Sequence, residues 1–124
     1  MMAPSKPVRS AWFGLLLALS GAAGAAETGQ NGAALLQMCR GGDKVRVLSV
    51  MCHSYANGFI EATHYHAAQG AKTGKAFCLS EAEHARLPGE IVTWLQAHPE
   101  QAKEPAAAVL HRVLVNRFPC KKAP

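Results

Sequence analysis

Six histidines, four cysteines and the paired carboxylates Glu81 and Glu83 are the side chains here whose types could do chemistry. Imidazoles and thiolates hold metals, a thiolate beside an imidazole is a nucleophile, and two carboxylates can trade a proton. Spacing argues against each. His53 and His64 are eleven residues apart in one helical pattern. At about 100° and about 1.5 Å per residue they share a face but stand some three turns apart, too far to chelate one ion. His64 and His66, two apart, point to nearly opposite sides of a helix. The histidines therefore read as solvated surface groups, with no metal and no cofactor implied. Cys52, next to His53, is better used in a disulfide, and a bridged sulfur cannot be an activated thiolate. Glu81 and Glu83 suit the start of a helix, where the macrodipole favours negative charge. No strand precedes a Gly-rich phosphate loop. The chain reads as a binder and not an enzyme.

The compartment follows from the first residues. Lys6 and Arg9 form a basic start, residues 11–19 (AWFGLLLAL) an apolar core, and Ala23-Gly24-Ala25 a small-residue cleavage signal. That order predicts a signal peptide over 1–26. A membrane span needs roughly 18 apolar residues, about twice this run. Removing 26 of 124 residues leaves 98 in one domain, 27–124, with all four cysteines, Cys39, Cys52, Cys78 and Cys120. An even number of cysteines in an exported chain of this size reads as two disulfides. The 13 basic residues less Lys6 and Arg9, set against 8 acidic ones, leave a mature charge of +3. The basic residues are scattered, without a stripe or interleaved aromatics, so nucleic acid is not an expected partner. Once the leader is cut, neither is a membrane.

The elements that position these residues are all helical. The first spans about Asn31–Cys39, with Ala34, Leu35, Met38 and Cys39 on one face, and Gly41-Gly42-Asp43 break it. The second spans about Arg46–Gln69. Val47, Met51, Tyr55, Gly58, Ala62 and Tyr65 recur there at three- and four-residue steps, the period of a buried stripe. Gly58 on that stripe predicts close approach of another backbone. Ser80-Glu81-Ala82-Glu83 is a capping-box sequence, but Pro88 would fall inside a helix begun there. The expectation is thus a turn over Ser80–His84 and a helix from about Ala85 to Ala97, with Ile91, Val92, Trp94 and Leu95 inward. The fourth opens near Pro105 and buries Ala106, Val109, Leu110, Val113 and Leu114 as far as Arg117. The class is all-α, a small four-helix domain with two disulfides and short, antiparallel connections. In that layout Cys39 and Cys52 flank one tight connection, while Cys78 precedes helix three and Cys120 follows helix four. Cys39–Cys52 with Cys78–Cys120 is the favoured of three pairings.

A further signal lies around the cysteines. Cys52-x-x-Tyr55-x-x-Gly58, Phe77-Cys78-Leu79, Trp94-Leu95-x-x-His98-Pro99-Glu100, Pro105-Ala106-Ala107 and Phe118-Pro119-Cys120 follow in order after a leading helix that ends in Cys39. The chain resembles the Rap/Tai family of type VI secretion immunity proteins, whose members read Cys-x-Gly-Tyr-x-x-Gly, Phe-Cys-Leu-Pro, Tyr-Leu-x-x-x-Pro-Glu and Phe-Pro-Cys. The resemblance runs from about Leu35 to Cys120. Ser54 and Ser80 depart from it where the family has Gly and Pro, and Trp94 takes the aromatic position.

What the resemblance implies is a periplasmic, dimeric protein that occludes a peptidoglycan amidase effector, protecting the producing cell and its siblings. The irregular stretches Gly70–Gly74 and Leu79–His84 are the candidate contact loops, with Ser80, Glu81, Glu83 and His84 as partner-binding residues. Two other readings stand beside it: an acid-stress periplasmic chaperone, and an exported interaction module with a different partner.

Overall fold

Side-chain caps start two of the four helices, α1 at Asn31 and α3 at Ser80. The computed structural model describes Pro4, residues 29–70 and residues 75–121. Apart from Pro4, the leader lies outside the described residues, as do positions 71–74 of the Gly70–Gly74 turn. Helix α1, Gly32–Arg40, starts where the Asn31 side chain accepts a hydrogen bond from the Ala34 amide (2.9 Å). A single 3₁₀ turn, Gly41–Asp43, reverses the chain into α2, Arg46–Ala68. No side chain caps α2; the Cys39–Cys52 bridge, with Cα atoms 5.0 Å apart, ties it to α1.

Helix α3 is Glu81–Ala97, one turn longer than the expected Ala85 start. The capping box is formed and Pro88 sits inside the helix. Pro88 removes the donor for the His84 carbonyl, a cost of about 3 kcal/mol. Leu87, Ile91 and Leu95 are almost wholly buried, and each such side chain stabilises by about 1.5–3 kcal/mol. That burial anchors the helix despite the proline, and the fully formed capping box at Ser80 starts it one turn early. A second 3₁₀ turn, Pro99–Lys103, leads to α4, Ala106–Arg117. On α4 the face of Ala106, Val109, Leu110, Val113 and Leu114 is fully buried, as its spacing predicts. Among the described residues the only β pairings are two isolated bridges, Asn31–Pro105 and Phe77–Pro119.

Helix α1 is the hub, packing on α2, α3, α4 and the Pro99–Lys103 turn. Its first residue has no room for a side chain: a Cβ on Gly32 would collide with the Gln101 carbonyl oxygen. The Gly32 amide donates to the Glu104 carbonyl (2.9 Å) and the Ala106 amide to the Gln30 carbonyl (2.8 Å). These bonds and the Asn31–Pro105 bridge clip the segment before α1 onto the start of α4.

Helix α2 buries a different face from the one expected. Cys52, Ala56 and Ile60 are inside. Of the predicted stripe, only Tyr55 packs against the core; Val47, Met51 and Tyr65 are exposed. Gly58 is exposed as well, with nothing within 4 Å of a Cβ placed on it, so no backbone among the described residues packs there. Helix α2 has apolar residues on two opposed sides, and periodicity cannot choose between them. The bridge chooses, because Cys52 must turn toward Cys39.

Candidate functional site

Two of the cysteine motifs form one knot. Phe77 is fully buried and bridges antiparallel to Pro119, and the Cys78 amide donates to the Phe118 carbonyl (2.9 Å). The Cys78–Cys120 disulfide, Cα atoms 4.8 Å apart, locks the approach to α3 to the exit from α4. Phe118 is buried beneath the knot, and Leu79 packs on the core beside it. Both bridges match the expected pairing, and no described cysteine is free.

A second motif shapes the far end of α3. The Trp94 indole donates to the Gln101 side-chain oxygen (2.9 Å) and stacks on His98, with ring centroids 4.3 Å apart. His98 Nδ1 lies 2.8 Å from the Trp94 carbonyl, so that nitrogen carries the proton it donates. Leu95 is buried beneath, and Pro99 opens the following turn. These motif residues shape corners of the domain.

Beside the knot lies a groove of about 560 Å³ between α2, the segment before α3 and the first turn of α3. His53, Asn57, Glu61 and His64 line it from α2, Lys75 from the segment, and His84 from α3. His64 is held in place: its Nε2 lies 3.3 Å from the Phe77 carbonyl and its ring packs on that of Phe77, centroids 5.3 Å apart. Lys75 and Glu61 bring one charge of each sign to its lining.

The four expected contact residues take separate positions. Ser80 is the N-cap of α3: its amide donates to Glu83 Oε2 (2.7 Å), and the Glu83 amide donates to Ser80 Oγ (3.3 Å). The bond from the Ser80 amide is the main reason the Glu83 carboxyl is held below its ordinary value of 4.5, with Arg86 and Lys121 adding to it. Glu81 is exposed in the first turn and His84 lines the groove. Sequence reading missed Asn57, Glu61 and Lys75. A signal for the α2 wall was available, since His53, Asn57, Glu61 and His64 recur at steps of four, four and three.

Among the described residues no three of His, Cys, Asp and Glu gather as metal ligands do, and no buried side-chain polar atom lacks a partner. No described helix is long and apolar enough to cross a membrane. A rigid helical domain, stapled twice and carrying a preformed polar groove, has the build of a protein that binds another. The model of one family, Rap1a immunity proteins, matches residues 31–120, from the α1 cap to the last cysteine, and the chain belongs to that family. Comparisons with curated proteins and with solved structures returned no match. Membership in an immunity family implies that the protein binds a partner effector.

Proposed function

We propose that residues 1–26 direct export and that residues 27–124 act in the periplasm as a non-catalytic, homodimeric immunity protein. Its target is a peptidoglycan amidase delivered by type VI secretion. The protein binds that effector and keeps substrate out of its cleft, which protects the producing cell and its siblings. The family match across the whole stapled domain carries this reading.

The groove beside α3 and its rim form the contact surface. In it Ser80 and Glu83 hold the turn in shape, while Glu81 and His84 meet the effector. A surface held by a disulfide and a capping box loses little freedom on binding, which is how tight inhibitors gain affinity. Co-expression with a secreted amidase, sought first among the neighbouring genes, tests the proposal. The full chain should protect cells and a chain without residues 1–26 should not. Inhibition in solution should saturate at a fixed stoichiometry. An amidase left unbound and active at micromolar protein would refute the reading.

A further inference from the structure

The groove beside the knot does not end at His53. A second groove of about 430 Å³ continues from it toward the other disulfide, between the start of α2 and the middle of α3. Ser49 and His53 wall it from α2, Pro88, Gly89 and Val92 from α3, and Cys39 closes its far end. His53 and Ala85 line both grooves, so the two form one channel. Its cause is architectural. Helix α1 packs on both α2 and α3, whereas α2 and α3 hardly touch each other, which leaves a cleft between them. The bridges at Cys39 and Cys78 stand at its two ends.

We infer that this channel takes one extended peptide segment of a partner protein, about seven residues long, gripped by its main chain. The inference rests on the effector-binding reading for whose segment it is, while the channel's own features set the segment's form. Ser49 and His64 stand 15 positions apart on α2, about 22 Å at about 1.5 Å per residue. An extended chain, at about 3.3 Å per residue, covers that in about seven residues.

Two groups near the middle lack partners of their own. Pro88 has no N–H to give the His84 carbonyl, and that carbonyl lies between His84 on one groove and Pro88 on the other. On the α2 wall Asn57 is exposed, and its side-chain amide makes no hydrogen bond among the described residues. A primary amide both donates and accepts. Asn57 and the His84 carbonyl therefore match the N–H and C=O that an extended chain presents. A helix has its main-chain groups paired internally and would leave both unmet. Gly89, with nothing within 4 Å of a Cβ built on it, keeps the α3 wall open to a passing backbone. Each end of the channel carries one charge of each sign, Arg40 with Asp43 and Lys75 with Glu61, so form is selected over net charge.

Random heptapeptides displayed on phage and selected on the oxidised protein test this, the enriched sequences then being titrated as free peptides. Binding should lie in the micromolar range. Gly89→Leu should weaken it at least tenfold while the melting temperature holds or rises, because the side chain enters open space and leucine is the better helix former. Asn57→Ala should weaken it about tenfold with the fold intact. Gly58→Leu, at an equally open glycine outside both grooves, should leave it unchanged. Methylating the peptide nitrogens one at a time should cost tenfold or more at one position at least. A selection that enriches nothing over the Gly89→Leu protein, indifference to every N-methylation, or equal loss in Gly58→Leu would each overturn the inference. An amidase bound by the wild type should bind Gly89→Leu at least tenfold more weakly; equal binding would overturn the inference and leave the immunity reading standing. If the wild type binds no amidase, the immunity reading fails and the heptapeptides alone decide the channel.

Discussion

Ser80 and Glu83 fix the first turn of α3 by exchanging two hydrogen bonds across it. Replacing Ser80 with Ala should cost about 1 kcal/mol, a fall of roughly 4–8 °C in melting temperature for a domain of this size, measurable by circular dichroism. The same bonds set a pH dependence. Glu83 is held below its ordinary value mainly by the Ser80 amide, and Glu104 mainly by hydrogen bonds from Arg112, whose two nitrogens reach both carboxylate oxygens. A carboxyl depressed in the fold stabilises it above the unfolded value, and that contribution is lost as pH falls through the lower folded value. The melting temperature should therefore drop below about pH 4.5, and the double variant Glu83→Gln, Glu104→Gln should show a shallower drop. Parallel curves for variant and wild type would mean these carboxylates do not govern acid stability.

Each element was legible to the degree that its sequence carried one signal. Helix α4 has a single apolar face and its sequence fixes both bounds and burial; a charge at Val113, fully buried, should unfold the domain. Helix α3 carried two signals, a cap at Ser80 and a breaker at Pro88, and propensity alone cannot say that both halves of the capping box form and carry the helix through the proline. Helix α2 is apolar on two sides, so its period was plain, and the expected Cys39–Cys52 bridge, which turns Cys52 inward, was the signal that could have chosen its inward face. The groove was partly legible: His84 appeared through the irregular stretch before α3, whereas Lys75 enters through a tertiary contact, the meeting of His64 on α2 with the Phe77 carbonyl and ring. At the α1–turn contact, Gly32→Ala should cost about 1–3 kcal/mol, since the neighbouring atom is a backbone oxygen with little room to move. Denaturant titration would measure it, and an unchanged midpoint would mean that the contact yields freely.

For the molecule as a whole the two staples differ in reach. Cys39–Cys52 closes 13 residues and Cys78–Cys120 closes 42, so the chain-entropy model gives about 3 and about 4 kcal/mol respectively. Replacing the second pair with Ala should lower the chemical-denaturation midpoint more than replacing the first; the reverse order would show that native contacts around Cys39 matter more than loop length. The clip before α1 carries a different consequence, one for processing. The Gln30 carbonyl, the Asn31 cap and the Gly32 amide all engage the chain within a stretch of three residues. A leader ending at residue 26 leaves only residues 27–29 as spacer before the first of these ties. The proposed cleavage would therefore fall within about one helical turn's worth of residues of these ties, and an exoprotease that trimmed past Gly29 would begin to undo α1 from its first turn.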